Sequence, residues 1–122
     1  MKGTQREAMA TADDPIDLLP LTPRVFLILW ALAERERHGY ALLREVETLS
    51  RGRVTIKPGS LYEAIDTLAR RGLIEETEAT ESDGGPRRQP YRITAFGREV
   101  FAAEAARLDE LVADLRDAKL TG

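Results

Sequence analysis

The chain has 122 residues, of which 43% are hydrophobic and 32% charged, a composition typical of one soluble globular domain. Its 18 basic and 21 acidic residues give a formal net charge of −3, which excludes a uniformly basic nucleic-acid coat but allows a local basic patch. The lack of cysteine excludes a disulfide framework and a thiolate metal site, and one histidine cannot supply two imidazole ligands. We therefore predict no metal and no cofactor.

The first 20 residues differ from the rest of the chain. They are polar, rich in small residues and without a hydrophobic period, so we predict a flexible N-terminal arm over residues 1–20. They lack the apolar core of a signal peptide, and the longest apolar run, residues 25–32, is too short to span a membrane. These features favour a cytoplasmic protein.

Three helices are predicted after the arm. Thr22 followed by Pro23 is typical of a helix start, and the all-apolar run behind them predicts a buried first helix. A second helix over residues 40–50 follows a turn at His38-Gly39, and a third begins at Lys57-Pro58-Gly59-Ser60 and ends before Gly72. The second and third helices each carry one apolar stripe at spacings of four and three: Leu42, Val46 and Leu49, then Leu61, Ile65 and Leu68.

A hairpin and a long helix complete the pattern. Residues 73–80 and 90–94 read as two strands around a Gly- and Pro-rich turn, and Thr94 caps a helix that runs to about residue 119. The predicted fold class is mainly α with a small β-hairpin (α+β), a winged helix-turn-helix with an added C-terminal dimerisation helix. The winged domain covers residues 21–94 and the dimerisation helix residues 95–122.

Three segments resemble the PadR family of transcriptional regulators. LTPRVFLILWALAERERHGYALLREV is similar to the family's first half, KPGSLYEAIDTLARRGLIEE to its recognition segment, and RRQPYRITAFGRE to the end of its wing; together they cover about residues 21–98. The resemblance implies a homodimeric regulator, a repressor, that binds a palindromic operator in double-stranded DNA through the third helix and the wing. It also implies release by a small aromatic or cationic effector.

The candidate DNA contacts lie on the third helix and on the wing. A helix N-terminus offers free N–H groups to a phosphate, a glycine and a serine allow close approach, and the wing cations suit the phosphate backbone or the minor groove. The alternative is a solvated helix face, a capping turn and an ordinary charged loop. The candidates are Lys57, Pro58, Gly59, Ser60, Tyr62, Glu63, Thr67, Arg70, Arg87 and Arg88.

The remaining candidates concern dimerisation and an effector. A seven-residue repeat predicts a dimer seam through Phe101, Leu108, Leu111 and Leu115, interrupted by Glu104. Trp30 either lines an effector cavity or, as we favour, packs in the core, and Tyr40 is expected to pack against neighbouring elements. No constellation of catalytic residues is present, so an enzyme is not predicted. A winged helix that binds only proteins is the alternative function.

Overall fold

The computed structural model describes residues 14–78 and 89–121. Four helices frame the described part of the chain: α1 (Pro23–Glu34), α2 (Gly39–Leu49), α3 (Pro58–Arg70) and α4 (Ala95–Asp117). Three short strands accompany them: β1 (Arg37–His38), β2 (Ile74–Glu76) and β3 (Pro90–Ile93). This arrangement confirms the predicted mainly helical winged fold.

Helix α1 is the centre of the core. Thr22 caps it, its hydroxyl accepting the N–H of Val25 at 3.2 Å, and Pro23 supplies the first helical residue. Its buried residues are Leu27, Ile28, Leu29, Ala31 and Leu32. One edge, carrying Phe26 and Trp30, is only half-buried, so the expectation of a helix buried on every side is wrong along that edge.

The predicted two-stranded hairpin is part of a three-stranded antiparallel sheet of order β1-β3-β2. Strand β3 pairs Ile93 with Ile74 of β2 and, along its other edge, Tyr91 with Arg37 of β1. The predicted turn at His38-Gly39 is therefore wrong at His38, which lies in β1. Two residues are too few to show the alternation of apolar and polar side chains by which a strand is predicted, so β1 is defined only by its pairing with β3.

Residues 14–20, assigned to the arm from sequence, contain an ordered turn. Pro15–Leu18 form a single 3₁₀ turn capped by Asp14, whose side chain accepts the N–H of Ile16 at 3.0 Å. The turn packs against α4, and Leu18 and Leu19 contact the core. Residues 1–13 of the predicted arm lie outside the described residues.

Helix α4 is fixed to the sheet at its first turn. The hydroxyl of Thr94 accepts the N–H of Gly97 at 2.9 Å and donates to the carbonyl of Gly72 at 2.6 Å. Val100 is fully buried, whereas residues 108–121 are all exposed. The helix therefore starts in the core and ends in solvent.

Candidate nucleic-acid interface

Helix α3 presents most of the candidate contacts to solvent. Leu61, Ile65 and Leu68 are buried against the core, which fixes the rotation of the helix. Seven candidates are exposed and Ser60 is half-buried; the exposed ones are Lys57, Pro58, Gly59, Tyr62 (43%), Glu63, Thr67 and Arg70. The structure thus brings these side chains to the solvent-exposed side of α3.

The first turn of α3 is open to a ligand. Lys57 is the N-cap, with extended backbone and no side-chain hydrogen bond to the helix. Pro58 has no N–H to satisfy, so the unpaired N–H groups of the turn are those of Gly59 and Ser60. With a lysine as the N-cap before them, these groups suit a phosphate.

Tyr62 lies where α2, α3 and the sheet meet. A Cβ placed on Gly39 would lie 2.4 Å from the Tyr62 hydroxyl oxygen, so the ring rests directly on the first residue of α2. The phenol of Tyr91 in β3 has a raised pKa because it is buried, and the charges of Glu76 and Tyr62 add to the effect. Tyr62 is therefore a half-exposed side chain held by contacts on its inner side.

Two residues of α2, Tyr40 and Arg44, join the candidate surface although the sequence did not predict them there. Tyr40 was expected to pack against neighbouring elements, but it is 65% exposed, and the Arg44 guanidinium lies 5.9 Å from the centre of its ring. Both residues are four apart and opposite the buried stripe of Leu42 and Val46, a spacing that could have revealed them. They extend the candidate surface from α3 onto α2, beyond the Gly39–Tyr62 contact.

Two charged pairs modify the surface. Arg70 is bonded to Asp66 one turn before it, with both side chains exposed, so part of its charge is neutralised. In the sheet, Arg92 of β3 donates to Glu75 of β2 at 2.7 Å. The predicted wing contacts Arg87 and Arg88 lie outside the described residues.

The predicted dimer seam divides into two parts. Phe101 stacks on Phe26 of α1, with ring centroids 5.1 Å apart, so it is engaged within the chain. Leu108, Leu111 and Leu115 are exposed, at 36%, 46% and 42%, and Val112 beside them is also exposed. Only this second part is free to meet another surface.

Trp30 belongs to a small aromatic cluster. Its ring lies 6.3 Å from that of Phe26, which in turn stacks on Phe101. Trp30 is half-buried and packs against the core, as favoured from sequence, while retaining an exposed edge.

In residues 14–78 and 89–121, no group of three or more His, Asp or Glu side chains could hold a metal ion. Within the same ranges, no helix is long and apolar enough to cross a membrane.

The fold and its outward surface define a winged helix-turn-helix protein with an extended C-terminal helix. The sequence profile of the PadR-like family of transcriptional regulators matches residues 28–103, well over half of the chain. The chain belongs to this family. Its members are transcriptional regulators and not enzymes, which agrees with the prediction from sequence.

The chain is also similar to individual proteins in sequence or in structure. Uncharacterized protein X of Lysinibacillus sphaericus is 32% identical over 93 residues, which cover 76% of this chain and 78% of that protein. A PadR-like transcriptional regulator from Bacillus cereus is 26% identical, with a TM-score of 0.62 over 80% of this chain and 91% of its own. A transcriptional regulator from Clostridium thermocellum, at 21% identity, has the same fold, with a TM-score of 0.62 over 98% and 99% of the two chains.

Proposed function

We propose that this regulator binds double-stranded DNA through α3 and the adjoining start of α2. The single observation that carries the proposal is the open first turn of α3, where Lys57 stands beside the free N–H groups of Gly59 and Ser60. These groups anchor one phosphate, and Tyr62 stands next to them at the position of a base edge or sugar. Arg87 and Arg88 add phosphate contacts from the wing.

Tyr40 and Arg44 supply a second contact on the same side. An arginine held over an aromatic ring keeps its N–H groups available at the ring's edge, and a phosphate is the partner that such a guanidinium binds in pairs of hydrogen bonds. Because Gly39 joins Tyr40 directly to the Tyr62 contact, both contacts follow one stretch of backbone. The formal net charge of −3 is compatible with DNA binding, since a local group of basic residues is enough to bind phosphates.

The active species is a homodimer joined through the exposed part of α4. Leu108, Leu111 and Leu115 repeat at spacings of three and four on a helix that leaves the core, and covering them removes apolar surface from water. A two-fold dimer places two α3 helices about 34 Å apart, which calls for a palindromic operator. The regulator acts as a repressor that covers this operator.

An effector releases the DNA by shifting the dimer toward an arrangement with the wrong half-site spacing. The exposed edge of the Phe26–Trp30–Phe101 cluster suits a small aromatic or cationic compound, because aromatic rings bind both. Trp30 is the only tryptophan, so its fluorescence reports on such binding directly. Unchanged fluorescence with a compound that releases DNA would place the effector elsewhere.

The deciding experiment is selection of bound duplexes from random DNA with the purified full chain, followed by titration of the selected sequence at several salt concentrations. We expect enrichment of an inverted repeat, and a matched scrambled duplex should bind much more weakly. Tyr62→Ala and Arg44→Ala should each weaken the complex, whereas Asp109→Asn on α4 should not. If no duplex binds even at low salt, the protein is a protein-interaction module.

A further inference from the structure

An elongated cleft runs between the start of α1 and the second half of α3, and we call it the α1–α3 cleft. It has two adjoining parts, of about 580 Å³ and about 160 Å³. Along α3 it extends from Ala64 to the C-cap Arg71, seven residues or about 10 Å of helix. A cleft of this size is typical of a small-molecule site. The residues that line both parts are Thr22, Val25, Thr67 and Leu68.

The inner wall of the larger part is apolar and held in place. Leu68 is buried, and Val25, Val54 and Ala64 are half-buried. Val54 lies in the loop between α2 and α3, and its N–H donates to the hydroxyl of Ser50 at 2.9 Å. The wall therefore offers apolar surface that a ligand with an apolar body would remove from water.

The segment that closes the smaller part is anchored to α4. Leu21 lines this part, and its N–H donates to Oε2 of Glu104 at 3.0 Å. Glu104 is the one buried charged side chain among residues 14–78 and 89–121, and Arg107 donates to its Oε1 at 2.6 Å and its Oε2 at 2.9 Å. Burying a carboxylate is costly unless such partners are fixed in place, so Leu21 is held in one position. The cleft is therefore preformed.

The charge around the cleft is positive. Arg24 lines the larger part and Arg71 the smaller part, and both are exposed. Within residues 14–78 and 89–121, no acidic side chain lines either part and neither guanidinium is ion-paired, whereas Arg70 is bonded to Asp66. An unpaired guanidinium beside an apolar wall suits a ligand that has an anionic head and an apolar body.

The surroundings of the two arginines decide which one holds the anion. Arg71 lies at the C-terminus of α3, where the last carbonyl groups carry a partial negative charge that disfavours an anion. Arg24 shares the larger part with Thr22, whose hydroxyl oxygen accepts the N–H of Val25 at 3.2 Å. The hydroxyl proton of Thr22 can therefore be donated to a ligand.

We propose that the α1–α3 cleft binds a small carboxylate with an unbranched apolar chain. Arg24 and Thr22 hold the carboxylate, and the chain lies along Val25 and Leu68, where the elongated shape of the cleft suits an extended chain. The proposal goes beyond the proposed function and does not depend on DNA binding. The site is separate from the aromatic cluster of Trp30, which lines neither part of the cleft, and its ligand carries a negative charge.

The first test titrates the full chain with octanoate at fixed ionic strength, followed by calorimetry and by the methyl signals in NMR. We expect saturable binding to one site per chain, binding of 1-octanol weaker by at least about tenfold, and no binding of acetate at the same concentrations. The methyl signals of Val25, Val54 and Leu68 should shift. Equal affinity for octanoate and 1-octanol, or shifts confined to the exposed Leu108 and Leu111 of α4, would overturn the proposal.

The second test uses substitutions. Arg24→Gln should weaken octanoate binding at least about tenfold and leave 1-octanol binding unchanged, because it removes the partner of the carboxylate only. Arg53→Gln is the matched control, since Arg53 is an equally exposed arginine that lines neither part of the cleft. Equal losses with the two variants would show a general effect of charge and overturn the proposal.

Ala64→Leu tests the position of the chain. The larger side chain projects into the larger part of the cleft and should abolish binding of octanoate, while a melting curve confirms that the fold is retained. Arg24 is exposed, so Arg24→Gln keeps the proposal testable even if Ala64→Leu does not fold. Undiminished binding to a folded Ala64→Leu variant would show that the ligand lies elsewhere and would overturn the proposal.

Discussion

The Tyr62 ring lies in the space that a side chain at position 39 would occupy, directly against Gly39. A Cβ on Gly39 would lie 2.4 Å from the Tyr62 hydroxyl oxygen and 2.9 Å from the ring carbon that bears it. The position of Tyr62 on α3 therefore depends on residue 39 at the start of α2 being a glycine. Because the obstructing atoms are the end of a side chain and not backbone, the tyrosine can move if it must.

The first prediction is that Gly39→Ala displaces Tyr62 without unfolding the protein. Overpacking of this kind costs about 1–3 kcal/mol, and the displaced ring should reduce specific DNA affinity more than non-specific affinity. The check is a double-mutant cycle in chemical denaturation. In a Tyr62→Ala background Gly39→Ala should cost almost nothing, because the obstructing ring is gone. Equal costs in both backgrounds would contradict the coupling.

A second prediction concerns Gly97, which closes the contact between α4 and the sheet. A Cβ there would lie 2.1 Å from the backbone oxygen of Leu73, an atom that cannot swing away. Gly97→Ala should therefore destabilise the fold by more than Gly39→Ala, by about 3 kcal/mol or more. Gly59→Ala is the matched control, since nothing lies within 4 Å of a Cβ at that helical position. Comparable melting temperatures for the two alanine variants would contradict the geometry.

The helices of this fold were predictable because their signals are local. Thr22-Pro23 and Lys57-Pro58 marked helix starts, and the stripe of Leu61, Ile65 and Leu68 fixed which side of α3 faces outward. Strand β1 could not be predicted, because two residues acquire strand geometry only by pairing with β3, more than fifty residues away. The exposure of Tyr40 was predictable from its place opposite Leu42, yet an aromatic residue beside an apolar helix suggested packing.

The role of Glu104 depended on information that the seven-residue repeat does not contain. The repeat correctly placed it on the face of Leu108 and Leu111, and so it appeared as a polar interruption of a dimer seam. What defines it is the Leu21 N–H, 83 residues away along the chain. The repeat also placed Phe101 in the dimer seam, but its ring stacks on Phe26 of the same chain, a contact that the repeat does not predict.

A third prediction separates the two halves of that repeat. Phe101→Ala should lower the stability of the monomer by about 3 kcal/mol, because it removes a stacked ring from Phe26 and leaves a cavity. Leu108→Asp with Leu111→Asp should leave monomer stability nearly unchanged and abolish the dimer. Denaturation at concentrations below the dimer dissociation constant, paired with sedimentation above it, measures the two effects separately. If Phe101→Ala abolished the dimer and left monomer stability unchanged, Phe101 would belong to the dimer seam and not to the core of the monomer.

A fourth prediction follows from the pKa of Glu104, which lies below its ordinary value of 4.5 mainly because Arg107 donates hydrogen bonds to the carboxylate. A group whose folded pKa is lowered stabilises the protein above its unfolded pKa, and this contribution is lost as the pH falls through the folded pKa. The melting temperature should therefore drop below about pH 4.5, in part through this group. Glu104→Gln should be less stable than the unchanged chain at pH 6, and the gap should narrow at pH 3.5. A gap that is independent of pH would contradict the assignment.

The last prediction is the salt dependence of DNA binding. If Lys57, Arg70, Arg87 and Arg88 each neutralise a phosphate in both subunits, about eight contacts give a log–log slope near −7. The Arg70–Asp66 pair modifies this expectation, because a guanidinium already bonded to a carboxylate gives up that partner to reach a phosphate. Lys57→Ala should thus flatten the slope by about 2, Arg70→Ala by less, and Arg87→Ala with Arg88→Ala by about 3 to 4.

Tyr62→Ala and Ser60→Ala are the matched controls, since neither changes the charge of the interface. Both should weaken binding to the selected operator while leaving the slope and the affinity for scrambled DNA nearly unchanged, because base contacts carry sequence information and phosphate contacts do not. A melting curve must accompany Tyr62→Ala, whose ring also rests on Gly39. If Tyr62→Ala weakened both duplexes equally while Lys57→Ala left the slope unchanged, α3 would not be the helix that enters the groove.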